Sequence, residues 1–263
     1  MSDQSPNILF IGGGKMGGAI IEGLLAKGHP AANLALVDPA LPSFEGLQVA
    51  ASLDQLEGFV PAATILAVKP QVMADVLPPL ADRLSNSLIV SIAAGKSLAF
   101  FENVFGARAR IVRAMPNLPA AIGTGMTGWI GNENLSDGDR GLAQSLISAT
   151  GQAHELETED QIDAWTAIAG SGPAYVFHLL ECLSDAAQEL GFNQKLSNAL
   201  AAQTVLGSAQ LADQSAESFA TLRENVTSPG GTTAAGLEQL MPQLPSLIQA
   251  TANAAFDRAK ELS

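Results

Sequence analysis

Short apolar runs alternate with segments of helical apolar spacing over the first 157 residues of the chain. This alternation is typical of a doubly wound α/β domain with a parallel sheet. The pattern predicts strands at residues 7–11, 34–37, 63–68, 88–92 and 110–114, and two shorter strands at 126–130 and 152–156 around a helix near 137–149.

The strand pattern ends near residue 157, and Ala/Leu-rich segments with helical spacing continue to Ser263. We therefore predict an α/β domain over residues 1–157 and an all-helical domain over residues 158–263. One predicted helix carries Val176 and Leu179 on one side and Phe177 on the other, which is typical of a helix buried all round. A helical domain of this size has difficulty covering the apolar surface of such a helix alone. We therefore expect an interlocked homodimer. The alternative is a self-contained helix bundle.

The composition of the chain limits which partners the protein can bind and in which cell compartment it is expected. The chain has 13 basic and 26 acidic residues, and this net charge of -13 argues against a nucleic-acid partner. The single cysteine, Cys182, lies among leucines and is expected to be a buried thiol without an internal disulfide partner. Residues 1–6 lack a signal-type pattern, and no apolar run approaches the roughly 20 residues that span a membrane. We expect a cytoplasmic protein with no membrane partner and predict no metal site.

A glycine-rich turn follows the first predicted strand and leads into a helix near Met16. In a dinucleotide-binding fingerprint the first glycine allows the tight turn, the second lets a pyrophosphate approach the backbone, and the third brings helix and strand together. These positions are Gly12, Gly14 and Gly17. The alternative is a glycine turn that only packs a strand on a helix. The predicted cofactor-binding residues of this turn are Gly12, Gly13, Gly14, Lys15, Met16 and Gly17.

Asp38 ends the second predicted strand, where the fingerprint places an acid for the adenosine ribose. A carboxylate accepts hydrogen bonds from the ribose 2'-hydroxyl and repels a 2'-phosphate. No basic residue follows Asp38 until Lys69. The sequence therefore predicts a preference for NADH over NADPH, unless Asp38 points away and only begins the turn before Pro39.

Two further loops follow predicted strands. The first contains Ala67, Val68, Lys69 and Pro70, and Pro70 keeps Lys69 out of helical geometry. The second places Asn117 between prolines. Ligands bind at the carboxyl edge of such sheets, so both loops are candidate cofactor-binding segments. The alternatives are that Lys69 is only a solvated surface charge and that the prolines only end a strand and stiffen the connection that follows it.

Two small-residue segments interrupt the helical part. One contains Gly170, Ser171, Gly172 and Pro173, with the proline at a favoured first helical position. The other runs from Val226 to Thr233 and breaks a helix at Pro229. Its backbone amides after Gly230 would face solvent or an anion such as a carboxylate. The alternative is an ordinary interhelical turn capped by Thr232 or Thr233.

Taken in order, these segments resemble the pyrroline-5-carboxylate reductase family over nearly the full chain. The resemblance is carried by the glycine turn at 11–16, by 67–71, by Met115-Pro116-Asn117-Leu118-Pro119, by 170–175 and, most specifically, by 226–233. It implies a Rossmann-type nucleotide-binding domain followed by an all-helical dimerisation domain, which assembles as a homodimer and in some members as a ring of dimers.

The resemblance also implies the activity and the roles of the site residues. The reaction is reduction of 1-pyrroline-5-carboxylate to L-proline by hydride transfer from NADH or NADPH, the last step of proline biosynthesis. The substrate carboxylate is held by backbone amides of the loop that contains Ser228, Gly230, Gly231, Thr232 and Thr233. Thr233 receives the catalytic role of orienting the imine nitrogen or relaying its proton, in a cleft that combines two subunits.

Two other functions compete with this one. A β-hydroxyacid-dehydrogenase-like oxidoreductase has a similar arrangement of domains, but it relies on a lysine early in the helical part that this chain lacks. A non-catalytic dinucleotide-binding sensor would have no need of the loop at 228–233. The histidines His29, His154 and His178 fall outside the matched motifs, so we assign none of them to catalysis.

Overall fold

The computed structural model describes residues 5–262. Its α/β part is an eight-stranded sheet of order β3-β2-β1-β4-β5-β6-β7-β8. Strands β1 to β6 are parallel, β7 runs antiparallel to β6, and β8 is parallel to β7. The strands are β1 (Ile8–Ile11), β2 (Leu34–Val37), β3 (Gln48–Ala50), β4 (Ala63–Leu66), β5 (Leu88–Ser91), β6 (Ile111–Met115), β7 (Gly125–Gly131) and β8 (Gly151–Glu155).

Both faces of this sheet are covered, which explains why the strand sequences are apolar without alternation. Side chains of a strand point to opposite faces in turn, so Ile8 and Phe10 pack in one hydrophobic core while Leu9 and Ile11 pack in the other. The predicted doubly wound domain is confirmed. The three-residue edge strand β3 was not predicted.

Helices connect the strands and then make up the rest of the chain. Ser136 caps α5 through a capping box, in which its side chain accepts from the amide of Asp139 and the Asp139 carboxylate accepts from the amide of Ser136. The helices are α1 (Lys15–Ala26), α2 (Met73–Val76), α3 (Ala81–Leu84), α4 (Leu98–Phe105), α5 (Asp137–Ile147), α6 (Asp160–Trp165), α7 (Gly172–Glu189), α8 (Gln194–Gln214), α9 (Phe219–Asn225), α10 (Thr232–Leu240) and α11 (Leu244–Leu262). Within residues 5–262 no helix is both long enough and apolar enough to cross a membrane.

The chain divides into two compact units, and the α/β unit extends to Ser171 and includes the residues from Ala255 onward. This differs from the predicted boundary at 157/158. Residues after 157 belong to the α/β unit because Glu159 accepts hydrogen bonds from the amide of Leu98 and from Arg113, both at 2.8 Å. The end of α11 belongs to it because the Leu262 carbonyl oxygen lies 2.6 Å from where a Cβ on Gly95 would stand.

The helical unit, Gly172–Ala254, leaves much apolar surface uncovered in the single chain. Leu190 is 81% exposed and Phe219 is 79% exposed, and α10 and α11 contain no buried residue. Helix α7 was predicted to be buried on all sides, but within one chain several of its apolar side chains are exposed. The prediction that Cys182 is buried is wrong for the single chain, because α7 has no cover over that side.

Candidate active site

The turn after β1 has the tight geometry that its glycines predict. Gly12 has a φ of +99°, which favours glycine, and its amide donates to the Val37 carbonyl at 2.9 Å. A Cβ on Gly12 would stand 2.9 Å from the backbone carbon and oxygen of Ala67. The first glycine is therefore required both by its conformation and by the closeness of the loop after β4.

The two later glycines have different surroundings. A Cβ on Gly17 would stand 2.5 Å from the Gly12 carbonyl oxygen, so this glycine lets α1 pack against the turn. A Cβ on Gly14 would meet no atom within 4 Å. Gly14 is the N-cap of α1 and supplies no side-chain cap, so the first amides of the helix lack the usual side-chain acceptor. This open helix N-terminus fits the phosphates of a dinucleotide.

Asp38 points toward the glycine turn. Its Oδ2 accepts from the amide of Gly13 at 2.7 Å, and its Oδ1 accepts from the amide of Ala40 at 2.8 Å. Asp38 therefore both begins the turn before Pro39 and contacts the glycine turn, so the two interpretations of Asp38 are compatible. Each oxygen retains a lone pair for a ribose hydroxyl.

A cavity of about 530 Å³ lies beside Asp38, at the carboxyl ends of β1, β2 and β4. This is where the strand order reverses around β1, the usual ligand site of an open α/β sheet. Lys69 is extended, with φ -61° and ψ 140°, as the following proline predicts. The cavity is lined by Ile11, Gly12, Gly14, Val37, Asp38, Pro39, Ala51, Ser52, Leu53, Ala67, Val68, Lys69, Val72, Val76 and Leu80.

Other predicted cofactor residues lie outside this lining. Lys15 is exposed at the start of α1, and Met16 packs against the hydrophobic core. Pro70 begins a short helical turn after Lys69. Asn117 lies beyond the end of β6, where its side chain is hydrogen-bonded to backbone groups of Met126 and Ala169.

The segment after β3 supplies three of the nine lining residues that were not predicted as site residues. These nine are Ile11, Val37, Pro39, Ala51, Ser52, Leu53, Val72, Val76 and Leu80. Ala51, Ser52 and Leu53 close one side of the cavity. A three-residue strand carries too little periodicity to be recognised, so no signal placed these residues at the site.

In the helical unit, the loop before α10 is a tight glycine turn. Gly230 has a φ of +67°, and the amide of Gly231 donates to the Ser228 carbonyl at 3.0 Å. A Cβ on Gly231 would stand 2.3 Å from Ser228 Oγ, so the serine side chain lies directly over that glycine. Both glycines are therefore needed for the shape of the loop.

The helix limits here differ from those predicted. Helix α9 ends at Asn225, before Pro229, where Thr227 Oγ1 donates to the Arg223 carbonyl at 2.6 Å. Gly231, and neither threonine, is the N-cap of α10, and it supplies no side-chain cap. Thr232 and Thr233 are the exposed first residues of that helix. Their amides therefore lack the usual side-chain acceptor and are suited to a carboxylate.

Thr233 also borders an apolar groove of about 550 Å³ along α10 and the start of α11. Its other lining residues are Gly236, Leu237, Gln239, Leu240, Gln243, Leu244 and Leu247. None of the described histidines lies near this loop in sequence. His29 Nε2 is instead 3.0 Å from the Pro6 carbonyl oxygen, and His178 Nδ1 is 3.0 Å from Glu181 Oε2.

Comparison with known families agrees with this division into two functional parts. Residues 159–262 match the model described as pyrroline-5-carboxylate reductase dimerisation. Residues 7–95 match the model described as NADP oxidoreductase, coenzyme F420-dependent. The first model begins close to the predicted boundary, and the second contains the glycine turn, Asp38 and Lys69.

Full-length relatives carry the same family name. The pyrroline-5-carboxylate reductase of Pseudomonas aeruginosa is 40% identical over 99% of this chain and 98% of its own length. That of Haemophilus influenzae is 40% identical over 98% of both.

Solved structures agree with these relatives. A pyrroline-5-carboxylate reductase from Coxiella burnetii superposes with a TM-score of 0.91 at 36% identity, covering 98% of this chain and 99% of that one. A Plasmodium falciparum pyrroline carboxylate reductase with NADP bound superposes with a TM-score of 0.87 at 30% identity, covering 98% of both. The chain therefore belongs to the pyrroline-5-carboxylate reductase family.

Proposed function

We propose that this chain reduces 1-pyrroline-5-carboxylate to L-proline with NAD(P)H, the last step of proline biosynthesis. The observation that carries the proposal is a pair of glycine-capped helix N-termini without side-chain caps, α1 in the α/β unit and α10 in the helical unit. Each offers backbone amides to an anion, the cofactor phosphates at α1 and the substrate carboxylate at α10. The nicotinamide cofactor, when bound, supplies the hydride.

The chain's own residues bind and orient the substrate. We assign the carboxylate to the loop formed by Ser228, Gly230, Gly231, Thr232 and Thr233, whose turn is fixed by the hydrogen bond from Gly231 to Ser228. The Thr233 hydroxyl lies one residue further into α10 and is the group we assign to the imine nitrogen. Holding a carboxylate and a nitrogen at a fixed separation orients the C=N bond, which can contribute several kcal/mol to the rate.

The activity is tested by following oxidation of NADH and of NADPH at 340 nm with 1-pyrroline-5-carboxylate as substrate. Thr233→Ala is expected to lower kcat/KM by about 10-fold or more, the loss of one oriented hydrogen bond. Thr233→Ser keeps the hydroxyl and serves as the matched control, with most of the activity retained. A Thr233→Ala variant with full turnover and affinity would remove the role assigned to this hydroxyl.

We further propose that NADH is preferred over NADPH. Asp38 supports this preference because its carboxylate is fixed at the cavity by the amides of Gly13 and Ala40 and cannot turn away without breaking both bonds. A phosphate on the ribose 2'-oxygen would bring a second negative charge to it. Among residues 5–262, Lys69 is the one cationic side chain that lines the cavity.

The preference is measured as the ratio of kcat/KM for the two cofactors. We expect Asp38→Asn to shift this ratio toward NADPH by about 5-fold, since like charges about 4 Å apart cost about 1 kcal/mol even in water. Asp137→Asn, an exposed carboxylate at the start of α5, is the matched control and leaves the ratio unchanged. A wild-type enzyme with a lower KM for NADPH than for NADH would contradict the preference.

A homodimer is the assembly we propose. It is supported by the match to the dimerisation model and by the exposed apolar side chains of the helical unit, such as Val226 and Leu247, each 63% exposed. Sedimentation is expected to give about twice the chain mass, and a 27.0 kDa species at micromolar concentration would contradict it. A ring of dimers stays a prediction.

The two competing functions are not favoured. The relatives that match nearly the full chain are pyrroline-5-carboxylate reductases, and the loop at 228–233 has no use in a sensor. Tight cofactor binding without turnover of any imine substrate would instead favour a non-catalytic dinucleotide-binding sensor.

A further inference from the structure

A π-helical turn, Thr166–Gly170, separates α6 from α7. Its bond from the Ser171 amide to the Thr166 carbonyl spans five residues and measures 2.8 Å. Such turns are rare and occur frequently at functional sites. The small-residue segment from Gly170 to Pro173 begins at the last residue of this turn. This segment has so far been given no role in the proposed reaction.

The turn is closely seated on the sheet within the α/β unit. A Cβ on Gly170 would stand 3.0 Å from the Met115 methyl group at the end of β6. The ring of Trp165, just before the turn, lies 2.5 Å from where a Cβ on Gly128 would be. Gly128 therefore allows a close approach of the Trp165 ring that a larger residue would prevent, and Gly170 lies in tight contact with the flexible end of Met115.

The Asn117 side chain joins this turn to strand β7. Its Oδ1 accepts from the Met126 amide at 2.9 Å, and its Nδ2 donates to the Ala169 carbonyl at 3.0 Å. A backbone amide can only donate and a carbonyl can only accept, so these partners fix the orientation of the side-chain amide. The side chain thus spans from the start of β7 to the π-helical turn.

The sequence explains why Ala169 needs a side-chain donor. In an uninterrupted helix its carbonyl would accept from the amide four residues on, but that residue is Pro173, which has no N–H. Asn117 supplies the missing donor. The motif around Asn117 and the motif around Pro173 are therefore physically dependent on each other, although 56 positions separate them in the sequence.

We propose that Asn117 is a positioning residue for the reduction, which holds the π-helical turn at the carboxyl end of β6 and so sets the place of the Gly170–Ser171 backbone. This inference rests on the proposed function. The end of β6 belongs to the half of a Rossmann sheet that receives the nicotinamide, while the cavity beside Asp38 includes neither Asn117 nor the turn. Loss of Asn117 therefore lowers kcat and leaves cofactor affinity nearly unchanged.

The first measurement is turnover by the wild-type protein. If the wild type has no turnover, the proposed function itself is wrong. If the wild type turns over and the Asn117 variants do not show the expected changes, only this inference is wrong. Asn117→Asp keeps an acceptor for Met126 but places a carboxylate oxygen against the Ala169 carbonyl. We expect at least a 10-fold loss of kcat, an NADH Kd within about twofold of wild type, and faster hydrogen exchange over residues 166–172. Asn134→Ala is the control, because its Nδ2 also donates to two carbonyls, those of Ala107 and Ala109, and its kcat should not change.

A double variant separates this role from general destabilisation. Pro173→Ala restores a backbone N–H that can bond the Ala169 carbonyl, so Asn117→Ala combined with Pro173→Ala should regain the hydrogen-exchange protection that Asn117→Ala alone loses. If the double variant loses as much hydrogen-exchange protection as the two single losses added together, the proposal is overturned. An NADH Kd that weakens in proportion to kcat also overturns it. If Asn117→Ala alone fails to fold, restored folding in the double variant supports the dependence and continued misfolding contradicts it.

Discussion

Two adjacent glycines of α1 should respond in opposite ways to the same substitution. A Cβ on Gly17 would stand 2.5 Å from the Gly12 carbonyl oxygen and 3.0 Å from the Ala67 Cβ. A Cβ on Gly18 would stand 3.6 Å from Phe44 Cζ, an ordinary van der Waals distance. Gly17→Ala is therefore expected to destabilise the fold, whereas Gly18→Ala is expected to stabilise it.

The magnitudes follow from these distances. Carbon atoms normally approach other non-bonded atoms to about 3.5 Å, so α1 would have to move by about 1 Å to accept a methyl group at Gly17. Overpacking of this kind costs about 1–3 kcal/mol, and the better helix propensity of alanine offsets up to about 1 kcal/mol. We expect a net loss of about 1–2 kcal/mol for Gly17→Ala. Gly18→Ala, with no such contact, should gain about 0.5–1 kcal/mol.

Denaturant unfolding measures the free energies, and NADH titration followed by fluorescence measures the Kd. Movement of α1 displaces its N-terminal amides, so Gly17→Ala should also weaken NADH binding by about 10-fold, whereas Gly18→Ala should leave the Kd within about twofold. Equal stability and equal NADH affinity in the two variants would refute the reasoning, since the packing of α1 on the turn would then have no energetic role.

Three further substitutions test separate features. Gly14→Ala should leave the unfolding free energy within about 0.5 kcal/mol, because a Cβ there meets no atom, but should raise the NADH Kd at least 10-fold; an unchanged Kd would show that no ligand approaches this glycine. Burial raises the pKa of Asp139, but hydrogen bonds from Ser136 and the Arg110 guanidinium outweigh it and leave the pKa below 3.8. Asp139→Asn should therefore cost about 1 kcal/mol at pH 7, and urea unfolding should show this difference vanish as the pH falls through the folded pKa. Burial lowers the pKa of His29 below 6.5, outweighing its bond to the Pro6 carbonyl, so stability falls as the pH drops from 6.5 toward the folded pKa. His29→Gln should remove that decline, and thermal melts from pH 7 to pH 5 that fall equally in both proteins would contradict it.

The α/β fold was predictable because its signals are local. Buried parallel strands such as Ile8–Ile11 are continuous apolar runs, and the turn at Gly12 requires a conformation that favours glycine. The predicted Gly12, Gly14, Asp38, Ala67, Val68 and Lys69 all line one cavity. Strand β3 was missed because three residues carry almost no periodicity.

Features that depend on contacts between distant segments could not be predicted. Cys182 was expected to be buried because its neighbours in the sequence are apolar. Within residues 5–262 of the single chain no other segment packs over that side of α7, so the thiol is exposed. The extension of the α/β unit beyond residue 157 depends on ion pairs of Arg113 with Glu159 and Asp163. The bonds of Asn117 join strand β7 to the π-helical turn, which no local pattern connects. The roles of the site residues and the cytoplasmic location remain predictions.

The bond from Gly13 to Asp38 constrains how this enzyme could evolve toward the other cofactor. The same carboxylate that would exclude a 2'-phosphate also anchors the glycine turn, through the Gly13 amide at 2.7 Å. A replacement that removes the carboxylate without supplying another acceptor leaves a partly buried amide unpaired, which costs about 1–3 kcal/mol. A lineage that changes its cofactor would first have to acquire a stabilising substitution elsewhere, or substitute a neutral acceptor at position 38. Cofactor choice and the rigidity of the glycine turn are therefore inherited together.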